Sequence, residues 1–356
     1  IRLLAVIFLW SSGGVLYLFF DVFRNRDSLM ALGDSLRTQK LLAKKESLKS
    51  RLDNPSLRRE LREMQLALFE ALLTGSEAAT KKIFQDMKGL SQAEASRLGL
   101  WFVDQRKAYE DEDGGARMQK LSTIPSEQRG QAVQPPLEDS YARSSDLAVN
   151  ALSAKASWLR RDFSRQLSDM VKALNDIKLE DVRKFDEKLK LDPSTHKLQP
   201  EAGAVEHGKH LGLLVASVKS KERALAKVNT DYQEDFETGT KTEQPLARYV
   251  CDFLRATIYA SDPFALAIAF HAFQERFNTK IVRVKNKFAD SEPKLKDEER
   301  TNILVNLWVE AGNMRQIGEV QFLLQEYLTA KSLQHLYYDV ARAKAASELF
   351  DKPIFD

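Results

Sequence analysis

Residues whose types and spacing could do chemistry are few in this chain. The lone cysteine, Cys251, can form neither an internal disulfide nor a thiolate metal cluster, and is expected as a small buried apolar residue in a reducing compartment. His207 and His210 stand three apart beside Glu206, the start of a two-histidine, one-carboxylate metal site. No third ligand follows at a fixed distance, so both are expected at the surface. The chain contains no P-loop, no Rossmann glycine triplet, no G-x-S-x-G turn and no Cys/His nucleophile pattern.

More chemistry gathers in the last third. Its pieces are D-x-x-R-A-T-I at 252–258, V-R-V-K-N-K-F at 282–288, L-V-N-L at 304–307, E-V-Q at 319–321 and H-x-x-Y-x-x-x-R at 335–342, preceded by Arg223 and Lys227. Residues 248–260 predict a helix running into a strand, and 262–277 an amphipathic helix opened by Asp262-Pro263. Apolar runs at 280–288, 302–310 and 317–325 predict three more strands, and 335–350 a final helix. The order strand, helix, strand, strand, strand, helix is that of an α+β sheet with flanking helices.

Over about residues 221–345 these motifs resemble the nucleotidyltransferase module of the RelA/SpoT family, in its divergent protist form. The resemblance implies a mixed sheet of four to five strands. It implies that in an active enzyme Asp252 and Glu319 would hold Mg²⁺, with Asp252, Glu319 and Lys285 as the catalytic set. Arg223, Lys227, Arg255 and Lys285 would then face the phosphates. Two carboxylates on adjacent strands suit a hard cation that offsets triphosphate charge.

The same comparison exposes losses. Where the family has a G-Y-x-S stretch, this chain has Glu299-Arg300-Thr301-Asn302, without the stacking Tyr or the turn Gly. Asn286 replaces the acidic residue after the second strand's Lys, and 290–299 is a charged loop without a phosphate-cradling glycine. A missing base platform forfeits about 1 to 3 kcal/mol. A degenerate module follows: no catalytic residue, no metal and no cofactor is expected, nor a small-molecule nucleotide. If inactive, Asp252 and Glu319 are expected to pair with Arg255 or Lys285.

The elements upstream read as helices. Asp53-Asn54-Pro55 caps a helix closed by Gly75, Ser91 to Glu94 has capping-box spacing, and an apolar stripe predicts a long helix over about 144–175. Shorter helices are expected at about 180–189 and 208–228, and residues 111–142, rich in acidic residues, Gly and Pro, predict an extended linker. At the start, residues 3–20 carry no charge, and at 1.5 Å per residue such a helix spans roughly 27 Å, close to a hydrocarbon core. Leu3, Trp10, Gly13, Gly14, Tyr17 and Phe20 are therefore placed in a bilayer. Between residues 24 and 63 eleven Lys/Arg face six Asp/Glu, which puts the body on the negative side of the membrane.

The expected organisation is a transmembrane helix at 1–23, a helical membrane-proximal region at 24–110, a linker at 111–142 and an α+β domain at 143–356, helical to 245 and sheet over 246–345. A net charge of +3 over 356 residues excludes a general nucleic-acid binder. The expectation is a non-catalytic accessory subunit of a membrane complex, such as a respiratory complex or ATP synthase. It would sit in the mitochondrial inner membrane with its body in the matrix, and its partners are other subunits and lipid. A thylakoid membrane is the alternative compartment. A membrane-tethered nucleotidyltransferase or guanosine-nucleotide sensor is the alternative function.

Overall fold

A computed structural model of the chain describes residues 47–111, 115–175, 211–289, 295–349 and 354–355. Two units divide the chain, residues 1–58 and 59–356, and the second holds the sheet. Helix α1 (Pro55–Leu73) begins where Pro55 fixes the first turn and Asn54 Oδ1 accepts the Leu57 N–H at 3.1 Å. Its exit passes through Gly75, whose φ of 68° is the left-handed region glycine enters without strain. Helix α2 (Glu77–Asp111) runs 35 residues without interruption. The expected helix start at Ser91 is not used, because Glu94 turns its carboxylate to Arg97 at 2.7 and 2.9 Å instead of to the backbone.

After α3 (Ala116–Ser122), β1 (Glu127–Gln128) and α4 (Asp139–Ala142), helix α5 (Ser145–Asn175) follows the predicted stripe and buries Leu152, Leu159, Phe163, Leu167 and Met170. Strand β2 (Leu211–Val215), the short helices α6 (Lys221–Lys227) and α7 (Gln233–Glu237), β3 (Arg255–Ala260), α8 (Pro263–Phe277) and β4 (Ile281–Asn286) come next. Strands β5 (Ile303–Ala311) and β6 (Met314–Leu324) and helix α9 (Gln325–Ala341) end the domain. The sheet order is β1-β4-β5-β6-β3-β2, with β3 and β6 parallel and every other pair antiparallel.

Alternation along the strands sorts side chains between two faces. Ala256, Ile258 and Ala260 of β3, Val320, Phe322 and Leu324 of β6, and Val305, Leu307 and Val309 of β5 are buried on one face. Helix α8 covers that face, its Phe270 and Phe273 meeting Phe322 edge-on at 5.5 and 5.3 Å. Asp262 starts α8 as the Asp-Pro pair predicts, accepting the N–H groups of Phe264 and Ala265 at 2.6 and 3.1 Å.

The expected architecture is corrected in three respects. The sheet has six strands rather than four to five, since β1 is too short to show a period and β2 occupies part of the span read as a helix at 208–228. Among the described residues no helix is long and apolar enough to cross a membrane, so the transmembrane helix of the expected architecture is not found among them. The segment on which that expectation rested, with Leu3, Trp10, Gly13, Gly14, Tyr17 and Phe20, lies outside the described residues, as do His207, His210 and the helix expected at 180–189. Residues 111–142 hold α3, β1 and α4, and Gln134 sews this stretch to the sheet: its amide donates to the carbonyls of Val250 and Ile317 and accepts the Ile317 N–H.

Candidate functional site

The other face of the sheet is polar. Pairing in register places Arg255 of β3 beside Glu319 of β6, Glu319 beside Asn306 of β5, and Asn306 beside Arg283 of β4, a row across four strands. One step on, Thr257, Gln321, Leu304 and Lys285 form a second row. Within these rows the Arg283 guanidinium donates to Asn306 Oδ1 at 2.7 and 3.0 Å, and Gln321 Nε2 donates to Glu319 Oε1 at 2.7 Å.

Asp252 lies just before β3 and is only 9% exposed. Behind β2 the chain is held along β3 by Ala216 N–H to Arg255 O and Lys219 N–H to Phe253 O, which sets Lys219 against Asp252. The Lys219 ammonium donates to Asp252 Oδ2 at 2.7 Å, and the Lys227 Nζ stands 3.7 Å from Oδ1. Ser220 caps the helix that carries Lys227 by accepting the Arg223 N–H. Burial alone would raise the Asp252 pKa, but the Lys227 and Lys219 ammoniums and the Arg255 guanidinium prevail and hold it below the ordinary value. Glu319 goes the other way: burial, reinforced by the charge of Asp252, raises it. Lys331 of α9 is depressed to about 7 by burial and by Lys287.

Four buried polar atoms here have no hydrogen-bond partner: Asp252 Oδ1, Arg255 Nε, Asn302 Oδ1 and Asn306 Nδ2. Asn302 and Asn306 are 2% and 0% exposed, so these are full desolvation costs that a ligand or water would relieve. A divalent cation does not fit the residues present. The Asp252 oxygen that would ligate it is occupied by the Lys219 ammonium at 2.7 Å, with Lys227 at 3.7 Å from the other oxygen, so a cation would have to displace an ammonium already in contact. Among the described residues no group of three or more His, Cys, Asp or Glu is placed to hold a metal.

The predicted site residues thus divide. Asp252, Lys227, Arg255 and Glu319 come together electrostatically, whereas Lys285 sits one row along and Arg223 pairs with Asp339 at 3.7 Å on the outside of α9. Asp252 takes Lys219 and Lys227 as its ion-pair partners, not the expected Arg255 or Lys285 contact. Sequence reading missed Lys219, Arg283, Asn302, Asn306 and Lys331. Alternation of Arg283 with Lys285 on a strand was a signal for one of them; Lys219, in a run of exposed-looking lysines, carried none.

Two residues that depart from the expected motifs have structural roles here. Asn286 is buried on the apolar side, donating through Nδ2 to the carbonyls of Leu121 and Ile124 at 2.6 and 2.8 Å, a task no carboxylate performs. Arg300, where the stacking Tyr is expected, is buried and donates to the Ala289 carbonyl and to Asp297. Cys251 is buried as expected, its thiol donating to the Ala132 carbonyl, with burial raising its pKa to about 12. No family model and no curated protein matches the chain.

Proposed function

We propose that this chain is a non-catalytic accessory subunit of a multi-subunit organellar assembly, in which a RelA/SpoT-like sheet domain serves as a packing scaffold. The observation that carries the reading is the Lys219–Asp252 pair at 2.7 Å, flanked by Lys227 at 3.7 Å. It neutralises the carboxylate that transferase chemistry would need for its metal. Two further observations support it: Asn286 is committed to helix α3, and Arg300 is folded inward where a base platform would stand. The subunit half of the reading draws support from large apolar side chains left in solvent, with Leu66, Leu73 and Trp158 at 64%, 67% and 74% exposure.

The purified chain, incubated with ATP, GTP and Mg²⁺, is expected to yield no pyrophosphoryl transfer product; turnover abolished by Asp252→Asn would overturn the non-catalytic reading. In native electrophoresis of extracts from its source cells, the chain is expected in a species far heavier than its own 40.5 kDa, and migration at monomer mass counts against the subunit reading.

A further inference from the structure

Strand β2 ends the sheet order, so its outer edge pairs with no strand among the described residues. Which groups face outward follows from its pairing with β3. The Ala216 N–H bonds the Arg255 carbonyl, and bonding direction alternates along a strand. Gly212 and Leu214 therefore also turn inward, while Leu211, Leu213 and Val215 turn their N–H and C=O groups out. At Leu211 a side chain takes the place of a next strand: Asn175 Oδ1 accepts the N–H at 3.2 Å and Asn175 Nδ2 donates to the carbonyl at 3.0 Å. Among the described residues the rungs at Leu213 and Val215 stay open. Asn175 ends α5, and Arg160, about four turns earlier on the same flank, donates to the Ala216 carbonyl at 3.2 Å. This flank of α5 thus runs beside β2, on the apolar side of the sheet, where Gln316 donates to the Leu152 carbonyl. Along it lies an open furrow of about 520 Å³ lined by Arg160, Arg161 and Arg165, with serines between them and one carboxylate, Asp169.

We infer that the β2 edge docks an extended segment of a partner polypeptide in which acidic and apolar residues alternate, an inference that deepens the subunit reading and rests on it. The segment adds a strand to the sheet, its main chain pairing with the open groups of Leu213 and Val215. Side chains opposite one another in paired strands share a face. Those opposite Leu211, Leu213 and Val215 lie on the α5 side, where carboxylates meet the three arginines. Those opposite Gly212 and Leu214 lie on the other side, where Leu214 is 53% exposed beside the Tyr259 ring that fills the space over Gly212, and apolar groups suit them. Size follows from the strand: the five residues of β2 span about 17 Å, room for a docked stretch of about five residues. A second copy of this edge is a poor occupant. Its Leu-Gly-Leu-Leu-Val brings no carboxylate, and its own arginines would face the first set.

Fluorescence anisotropy of the full chain with a labelled, end-capped octapeptide alternating valine and glutamate tests this. Binding at about 10 μM is expected, and none at about 1 mM for the peptide alternating valine and lysine. Backbone N-methylation separates strand pairing from charge alone: methyls on one alternate set of residues are expected to abolish binding, and on the other set to leave it within about threefold. The double variant Arg161→Glu, Arg165→Glu, at exposed positions, is expected to weaken binding at least about tenfold at an unchanged melting temperature. Val215→Pro, which removes one outward N–H at an edge position that admits proline, is expected to lose about tenfold as well. No binding at about 1 mM, equal binding of the lysine peptide, or equal binding of both methylated sets would each overturn the inference. So would a dimer of the full chain that Val215→Pro dissociates, which assigns the edge to a second copy, or peptide binding seen only once residues 176–210 are deleted, which assigns it to this chain. Failed peptide binding with a heavy species retained in native electrophoresis removes the inference and leaves the subunit reading standing, whereas migration at monomer mass removes both.

Discussion

Asp252 and Glu319 shift in opposite directions, because the Lys227 and Lys219 ammoniums outweigh burial at Asp252, whereas burial and the charge of Asp252 prevail at Glu319. The sign of each contribution to stability follows. Asp252 is held below its ordinary value, so its charge stabilises the fold above the unfolded carboxyl value of about 4, and that contribution drains away as pH falls through the lowered folded value. Glu319 is held above its ordinary value, so carrying its charge at neutral pH costs stability, and the cost disappears once pH falls below the unfolded value. Glu319→Gln, which keeps an acceptor for Gln321, is therefore expected to raise the melting temperature by a few degrees at pH 7 and by nothing near pH 4. Asp252→Asn is expected to lower it at pH 7, since Lys219 and Lys227 then remain as uncompensated charges. Thermal scans of both variants at the two pH values decide, and a destabilised Glu319→Gln at pH 7 would refute the burial argument. At this scale the motifs located both carboxylates, while their partners were illegible: Lys219 lies 33 residues before Asp252 and meets it only through the fold.

At the scale of elements, legibility tracked how much local pattern each one carries. Helices α5 and α8 have a long stripe and an Asp-Pro start, and both run nearly as predicted. Strand β2 was lost inside a helical reading because Leu211–Val215 is nearly all apolar, a pattern that suits either element until β3 offers its edge. The stretch around Gln134 was read as linker, since its attachment depends on one side chain rather than on a period. Gln134 is fully buried and makes three hydrogen bonds that join residues over 100 positions apart in sequence. Gln134→Ala strands two carbonyls and one N–H, and is expected to cost about 2 to 4 kcal/mol, read as a drop in the urea midpoint at unchanged slope. A midpoint within error of the natural chain would show that water replaces the amide.

Across the whole molecule, a boundary drawn at residue 143 cuts through what the sheet needs. β1 pairs with β4, Asn286 reaches back to Leu121 and Ile124, and Gln134 reaches forward to Ile317. A fragment of residues 143–356 is expected to lack a cooperative unfolding transition that residues 59–356 retain; equal transitions would place 115–142 outside the folding unit. Periodicity could show that the C-terminal third is α+β but not that its sheet draws on residues so far upstream, because pairing at long range leaves no local trace. The central parallel joint carries one more consequence. Arg255 meets Glu319 there and Thr257 meets Gln321. Were β3 to slip by a single residue, its charged and polar side chains would turn into the layer of phenylalanines beneath, so misalignment is self-penalising. The polar rows of this joint thus double as a proofreading key that keeps two strands in step.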